Sequence, residues 1–275
     1  MTVRELYEWG IRELSEMESP KTDARVILEH LLGIDGGKLS LCYPDHADCL
    51  KEEYFRKIAE RKAYKPLSYI TGKKEFFSRN FHVREGVLVP RPETENLVSE
   101  VLERLPKEPV RIADVCSGSG CIGITLSLES GNFVDLYELS PDAIIISQEN
   151  KESLGADKVT VYSRDILTQS LETEYDVIVS NPPYIPKADM ELLMPDVRDY
   201  EPQMALTDGG DGLVFYKRLA ELSKTHLKEG GILAAEVGIN QHRMVAEIFS
   251  QVGKVEILSD YFGVERVVLA KKGVF

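Results

Sequence analysis

The segment Asn181-Pro182-Pro183-Tyr184 follows an apolar run, Asp176-Val177-Ile178-Val179-Ser180, with the composition of a buried strand. Two consecutive prolines fix φ at both positions and donate no backbone hydrogen bond, which leaves their carbonyls free to accept. A following proline also holds Asn181 extended. The segment therefore offers a rigid pair of acceptors, the Asn181 side-chain oxygen and the Pro182 carbonyl, beside an aromatic face. That pair suits methylation of a planar nitrogen. An amide or exocyclic amine is a poor nucleophile because its lone pair is delocalised. Two acceptors gripping its N–H groups favour a more tetrahedral nitrogen and aim it at the methyl. Methyl transfer is an in-line displacement, so positioning and electrostatics supply most of the catalysis. Asn181, Pro182 and Tyr184 are the expected catalytic groups. Pro183 joins them in holding the acceptor, and Tyr184 can stack on it and stabilise developing positive charge.

A second constellation lies upstream. The run Val110–Val115 enters Asp114-Val115-Cys116-Ser117-Gly118-Ser119-Gly120-Cys121-Ile122-Gly123, where glycines let the backbone approach a ligand and turn sharply into a helix. Gly118-x-Gly120-x-x-Gly123 matches the dinucleotide fingerprint, and Glu138 would then take the ribose of a nicotinamide cofactor. The same residues also match an S-adenosylmethionine loop, in which Asp114 helps hold the charged amino-acid end of the cofactor. Asp165, after a third strand, is placed to accept from an adenine amino group with Ile166 against the ring; taken alone it reads more readily as a solvated loop residue or a helix cap. The nicotinamide reading gives no role to Asn181–Tyr184, so the adenosylmethionine reading is preferred.

These residues need a scaffold, and the chain has two rhythms. Val3, Leu6, Gly10, Leu14 and Met17 step as one helical face. Val26, Ile27, His30 and Leu31 repeat that step before a helix-stopping Gly33, and Tyr54-Phe55, Ile58-Ala59 and Lys62-Ala63 form a third stripe. Residues 1–72 are thus expected to be a small all-helical domain. Residues 73–90 read as a hairpin connector broken at Asn80 and Gly86, and residues 91–275 as the catalytic domain, opening on a helix from Glu93 to Leu105. Apolar runs at 110–115, 133–139, 159–162, 176–179, 232–237, 255–258 and 266–270 alternate with helical stretches, the pattern of an α/β fold with a mostly parallel sheet. Only a short turn, Ser259 to Glu265, joins the last two runs, which makes the seventh strand antiparallel. That is the Rossmann-like seven-stranded methyltransferase sheet, with its ligands outside the carboxyl ends of the strands.

Composition narrows the partners. The net charge is −13, and it is uneven: the first 75 residues carry 13 Lys/Arg against 14 Asp/Glu, the remainder 20 against 32. A protein gripping phosphates needs a basic face, so direct nucleic-acid binding is not expected. No apolar stretch reaches membrane-spanning length, and the first residues lack an apolar signal core, so a soluble cytoplasmic protein is expected. Cys42, Cys49, Cys116 and Cys121 form no CxxC pair near histidines, which predicts reduced thiols and no metal.

Several segments together resemble the peptide chain release factor glutamine methyltransferases. They are Pro66-Leu67-Ser68-Tyr69-Ile70-Thr71-Gly72, Val89-Pro90-Arg91-Pro92-Glu93-Thr94-Glu95, the Asn-Pro-Pro-Tyr core, Val197-Arg198-Asp199-Tyr200-Glu201-Pro202, Gly209-Gly210-Asp211-Gly212-Leu213, and Asp260-Tyr261-Phe262-Gly263-Val264-Glu265-Arg266-Val267. The resemblance covers essentially the whole chain. It implies methylation of the glutamine amide in the Gly-Gly-Gln motif of release factors, with S-adenosyl-L-methionine as donor and S-adenosyl-L-homocysteine as product. It also implies that Cys116, Ser117, Gly118, Ser119, Gly120, Glu138, Asp165, Ile166 and Asn181 line the cofactor pocket, that Asn181 to Tyr184 hold the glutamine, and that the helical domain helps bind the release factor. Arg91, Glu93 and Glu95 either face the substrate or cap and pair at the Pro92 helix. Cys116 stands where the family's loop often has its first glycine; if that position needs φ > 0, the cysteine is strained by roughly 1 kcal/mol or more. Enzymes that methylate a ribosomal-protein glutamine, or exocyclic amines of adenine and guanine, share the Asn-Pro-Pro-Tyr core and are the alternatives.

Overall fold

Local signals set the first elements. Thr2 and Glu5 close a reciprocal capping box, Glu5 N donating to Thr2 Oγ1 at 3.2 Å and Thr2 N to Glu5 Oε2 at 2.9 Å, and helix α1 (Val3–Glu13) follows. Helix α2 (Pro20–Leu32) opens on proline, whose missing N–H costs nothing in the first turn, and stops at Gly33 with φ 64°. Helices α3 (Lys51–Lys62) and α4 (Leu67–Thr71) complete the N-terminal part. The computed structural model describes residues 1–275 except Asp35, Tyr261, Val274 and Phe275; Tyr261, in the terminal segment quoted above, lies outside the described residues.

Two compact units emerge. The first is residues 1–73 with 194–200, and the second is residues 74–193 with 201–275. Residues 194–200, within the stretch assigned above to the catalytic domain, pack with the helices, and Tyr200 Oη donates to the Ala63 carbonyl at 2.7 Å. The first unit buries Val3, Leu6, Leu14, Ala24, Ile27, Leu28, Tyr54 and Ile58 in one core. The expected α1 face is the buried one. On α2 the inward residues are Ala24, Ile27 and Leu28; His30, read above as part of that face, is exposed.

In the second unit, strands β1 (Lys73–Phe76) and β2 (Arg79–His82) pair as a hairpin. Its turn is Phe77-Ser78, with φ of 50° and 60°, so Asn80 lies inside β2 and is not the break expected from its side-chain type. Both turn residues are left-handed, as a two-residue hairpin turn requires, yet neither is Gly or Asn. The turn is fixed from outside, Phe77 N donating to Glu95 Oε1 at 2.9 Å.

The main sheet comprises β3 (Arg111–Val115), β4 (Phe133–Glu138), β5 (Val159–Ser163), β6 (Tyr175–Ser180), β7 (Leu227–Glu236), β8 (Gly253–Ser259) and β9 (Glu265–Lys272), in the order β5-β4-β3-β6-β7-β9-β8. All pairings are parallel except those of β9, which runs antiparallel to β7 and β8. The seven strands and the antiparallel last one are those the sequence predicted. Helices α5 (Thr94–Arg104), α6 (Cys121–Ser130) and α7 (Pro141–Ser153) follow in chain order. They are succeeded by short α8 (Pro195–Tyr200) and α9 (Gln203–Leu206), then α10 (Val214–His226) and α11 (His242–Phe249). Leu97, Val98 and Val101 of α5 and Ile122, Ile124 and Leu126 of α6 share one core layer with Ile112, Leu136 and Val179. Tyr216 and Leu219 of α10 and Val245 and Phe249 of α11 share the other with Ala113, Ile178 and Leu233. A sheet covered on both faces explains why β3, β4 and β6 read as continuous apolar runs and not as alternating ones.

Gly10 sits where α1 crosses the Tyr54 ring, and a Cβ there would lie 2.1 Å from Tyr54 Oη and 3.2 Å from Ala24 Cβ. Gly10→Ala is therefore expected to destabilise the protein by about 1–3 kcal/mol through overpacking. Adding Tyr54→Phe removes the clashing oxygen and should recover part of that loss. Urea denaturation of the single and double variants measures both; an undiminished midpoint for Gly10→Ala would contradict the packing described.

Candidate active site

Strand β3 pairs in parallel with β4 on one side and β6 on the other, setting Val115 beside Tyr137 and beside Ser180. The chain therefore leaves the sheet at three adjacent carboxyl ends: the Cys116 loop, Glu138, and Asn181. This is where the strand order reverses, and crevices of α/β sheets open at that point.

A cleft of about 710 Å³ opens there, lined among others by Cys116, Gly118, Glu138, Arg164, Asp165, Ile166, Asn181 and Pro183. Apolar walls come from Val87, Leu88, Leu139, Leu167 and Phe215, with Pro202, Met204 and Ala205 from the segment around α9. A smaller pocket of about 340 Å³ is lined by Arg91, Thr94, Cys116, Ser117, Ser119 and Asn181 among others. Of the residues singled out in the sequence, Asp114, Gly120, Pro182 and Tyr184 line neither pocket; Asp114, Gly120 and Pro182 are buried.

The glycine loop is held by hydrogen bonds from both flanks. Ser117 N donates to Tyr137 O at 3.2 Å, and Gly118 N to Glu138 Oε2 at 2.8 Å. Glu138 Oε1 accepts from Leu139 N and Ser140 N, each at 2.8 Å. A carboxylate has about four acceptor positions, so Glu138 keeps one for a ligand. The Gly118 N–H, which a pyrophosphate would need, is already committed to Glu138. Asp165 caps its own turn, Oδ1 accepting from Leu167 N at 3.0 Å and Oδ2 from Thr168 Oγ1 at 2.9 Å.

Asp114 is fully buried inside β3. Its Oδ2 accepts from Gly123 N at 2.8 Å, while Oδ1 has no partner among the described residues, and neither has Ser117 Oγ. Burial, reinforced by the nearby negative charge of Glu138, pushes the Asp114 carboxyl up to about 8 against the pull of the Gly123 amide. Two unpartnered polar atoms this close to the loop have room for a hydrogen-bonding partner. They fit the ammonium end of S-adenosylmethionine, with a largely apolar cleft nearby for the rest. Among the described residues no group of three or more His, Cys, Asp or Glu side chains is placed to hold a metal ion, and no helix is long and apolar enough to cross a membrane.

Cys116 has φ 60°, the left-handed conformation on which its strain depended. Its side chain packs partly against the core, and burial, reinforced by the carboxyl groups of Glu138, Asp114 and Asp165, holds the thiol well above its ordinary range, so it is no thiolate. All four cysteines are free.

The acceptor end carries groups that the sequence reading missed. Asn181 Nδ2 donates to Thr94 Oγ1 at 3.1 Å, and Thr94 Oγ1 donates to Glu236 Oε2 at 2.6 Å. Tyr184 Oη donates to Glu236 Oε1 at 3.3 Å, and Gln241 Nε2 to the Tyr184 carbonyl at 2.8 Å. No hydrogen bond among the described residues ends on Asn181 Oδ1 or on the Pro182 carbonyl. Thr94 lies in the quoted Pro-Arg-Pro-Glu-Thr-Glu segment, and Glu236 ends an apolar strand at the same edge as Glu138; that shared position was the available signal. Arg91 lines the smaller pocket while its Nη2 donates to buried Glu201 Oε1 at 2.6 Å; Glu95 accepts from Phe77 N, and Glu93 is exposed.

Replacing Cys116 by glycine relieves about 1 kcal/mol of left-handed strain and forfeits about 1 kcal/mol of packing, so the net change is expected within about 1 kcal/mol of zero. Cys116→Val places a β-branched side chain at φ 60° and should cost about 2 kcal/mol or more. Equal denaturation midpoints for the two variants would rule out the strain.

Comparison with known proteins agrees with this geometry. The family model "Methyltransferase small domain" matches residues 94–211, and "PrmC N-terminal domain" matches residues 5–72. The release factor glutamine methyltransferase of Clostridium acetobutylicum is 39% identical, covering 91% of this chain and 91% of that protein. Its counterpart from Bacillus anthracis is 36% identical over 98% of this chain and 99% of its own length. Among solved structures, the catalytic domain of hMettl16, in complex with an RNA hairpin, superposes with a TM-score of 0.61 at 16% identity, covering 80% of this chain and 84% of that one. A methyltransferase from Pyrococcus furiosus gives 0.56 at 17% identity, over 81% and 100%. Those two likenesses establish the fold: a Rossmann-like methyltransferase sheet. With near-complete coverage at more than a third identity, the chain belongs to the release factor glutamine methyltransferase family.

Proposed function

We propose that this protein transfers the methyl group of S-adenosyl-L-methionine to the side-chain amide nitrogen of the glutamine in the Gly-Gly-Gln motif of peptide chain release factors. The observation that carries the reading is the pair of uncommitted acceptors, Asn181 Oδ1 and the Pro182 carbonyl, on a rigid strand end with Asn181 at the cleft. The relatives' names supply the acceptor. Bound S-adenosylmethionine supplies an electrophilic methyl on a sulfonium and needs no metal.

The chain's own residues do the rest. Asp114 and Ser117 hold the charged amino-acid end, directly or through water, with Cys116, Ser119 and Gly120 completing the loop around it. Gly118, where an added Cβ would meet nothing within 4 Å, leaves room for the cofactor to approach the backbone. Glu138 takes a ribose hydroxyl with its remaining acceptor position and a second by releasing a backbone amide. Ile166 and Leu167 flank the base, and Asp165 accepts from its amino group. Asn181 and Pro182 grip the two amide hydrogens of the glutamine, turning its planar nitrogen toward the methyl, while Pro183 and Tyr184 wall the planar group. Positioning of this kind is worth several powers of ten in rate. The helical unit helps bind the release factor, and the site of action is the cytoplasm. Neither nucleic acid nor membrane is a direct partner. Methylation of an exocyclic amine in adenine or guanine is the second reading, motivated by the same Asn181–Tyr184 core and opposed by the net charge of −13.

Labelled S-adenosylmethionine offered with release factor, DNA or ribosomal RNA is expected to label the release factor alone; label only in nucleic acid would overturn the proposal. Asn181→Ala is expected to lower turnover on the order of a hundredfold with cofactor affinity within a few-fold. Equal loss of affinity would instead make Asn181 chiefly a cofactor ligand.

The raised Asp114 carboxyl adds a linkage. Protonated in the free protein below about 8, it loses its proton when an ammonium group binds beside it, because a nearby cation favours the charged form. Cofactor affinity should therefore rise with pH toward about 8 and fall again above it, as the cofactor's own α-ammonium loses its proton. Calorimetry near neutral pH in buffers of different ionisation enthalpy should register proton release that Asp114→Asn abolishes. Buffer-independent heats would show that no cation binds beside Asp114.

A further inference from the structure

We infer that Glu236, acting through Thr94, sets the direction of a hydrogen-bond chain that makes Asn181 present its amide oxygen, and not its amino group, to the substrate nitrogen. The inference rests on the methyl-transfer reading above and assigns positioning roles to two residues outside the glycine loop and the Asn-Pro-Pro-Tyr segment.

An asparagine amide is nearly symmetric in shape: its oxygen and amino group occupy similar volumes and differ only in accepting or donating. Packing alone does not choose between the two orientations, so the hydrogen-bond partner must. For methyl transfer the choice matters. The amide oxygen accepts from a substrate N–H, whereas the amino group would set donor against donor and push the substrate nitrogen away.

The partner here is a hydroxyl whose own direction is fixed. Thr94 Oγ1 lies 2.6 Å from Glu236 Oε2 and 3.1 Å from Asn181 Nδ2. Thr94 is 2% exposed and Glu236 is 2% exposed, so water does not compete for either. Burial pushes the Glu236 carboxyl up, against the pull of the Thr94 hydroxyl, Arg266 and the Tyr184 hydroxyl. Both its oxygens face hydroxyl groups. In its ionised form it only accepts, while threonine has a single hydroxyl hydrogen. That hydrogen goes to Glu236, leaving Thr94 Oγ1 an acceptor toward Asn181. Only the amino group of Asn181 satisfies it, and the amide oxygen is turned away from Thr94. The polarity of the chain is thus decided at its buried end. At 2.6 Å the bond has the length of a charge-assisted O–H···O⁻ bond, about twice as strong as a neutral one, which makes this end the stiff one.

The same carboxylate reaches the other end of the segment. Glu236 Oε1 accepts from Tyr184 Oη, the Glu236 carbonyl accepts from Tyr216 Oη at 2.8 Å, and Gln241 holds the Tyr184 carbonyl. One residue at the end of β7 therefore orients both the first and the last side chain of Asn181–Tyr184. A Cβ on Gly212 would lie 2.1 Å from the Tyr184 carbonyl, so the backbone there also has no room to drift.

Two pairs of variants separate this role from simple packing. Thr94→Val keeps the shape and removes the hydroxyl; Thr94→Ser keeps the hydroxyl and removes a methyl. Glu236→Gln keeps the shape and introduces a donor, which lets the chain run in reverse. Each full-length variant is assayed with labelled S-adenosylmethionine and release factor for kcat and KM, and by calorimetry for cofactor affinity. Expected are a kcat loss of roughly tenfold to a hundredfold for Thr94→Val and Glu236→Gln, cofactor affinity within a few-fold of the unaltered chain, and recovery of most of kcat in Thr94→Ser. Undiminished kcat in Thr94→Val, or equal losses in Thr94→Val and Thr94→Ser, overturns the inference even if Glu236→Gln fails to fold. No transfer by the unaltered chain overturns the function itself and the inference with it; transfer by the unaltered chain and by Thr94→Val alike overturns the inference alone.

Discussion

Strand β3 pairs in parallel with β4 on one edge and β6 on the other, and every other feature of the site depends on that arrangement. Residues far apart in sequence leave the sheet at neighbouring carboxyl ends because of it. Glu138 sits close enough to anchor the glycine loop through the Gly118 amide, and Asn181 emerges beside Cys116. The pairing is a consequence of burial. Strands covered on both faces must be apolar throughout, and a run such as Ile112-Ala113-Asp114-Val115 has its place only in the middle of the sheet. The one ionisable side chain within it, Asp114, is costly to desolvate, and burial pushes its carboxyl up to about 8.

Three carboxylates at this edge have been given different work by their surroundings. Glu138 is nearly saturated by backbone amides and holds the loop in shape. Asp114 keeps an unpartnered oxygen in a buried place, and burial pushes its carboxyl up to about 8. Glu236 has both oxygens committed to hydroxyl groups and organises the acceptor side. Burial raises the carboxyls of Asp114 and Glu236. What separates them is which hydrogen-bond donors reach each oxygen, and that is a property of the folded neighbourhood, not of the residue type.

The same distinction explains what could be read before folding. The apolar runs, the antiparallel last strand and the helical N-terminal part follow from periodicity, which is a local property of the chain. Asn181–Tyr184 stood out because consecutive prolines constrain the backbone wherever they occur. Thr94 and Glu236 did not stand out: a threonine at a helix start and a glutamate at a strand end are ordinary, and only their meeting across 142 positions makes them a unit. The turn at Phe77-Ser78 was hidden for a related reason, since Glu95 imposes a conformation that the turn's own residues do not favour. Cys116 is the reverse case. Its position in the loop predicted strain if the backbone turned left-handed there, and the backbone does.

The central claim is that the gripped nitrogen belongs to a glutamine side chain. Tandem mass spectrometry of release factor after incubation with the full chain and S-adenosylmethionine tests it at the level of the atom. The account predicts one added methyl group on the side-chain amide of the glutamine that follows two glycines, and none when that glutamine is replaced. A methyl group on any other residue, or on the release factor with that glutamine replaced, would contradict it.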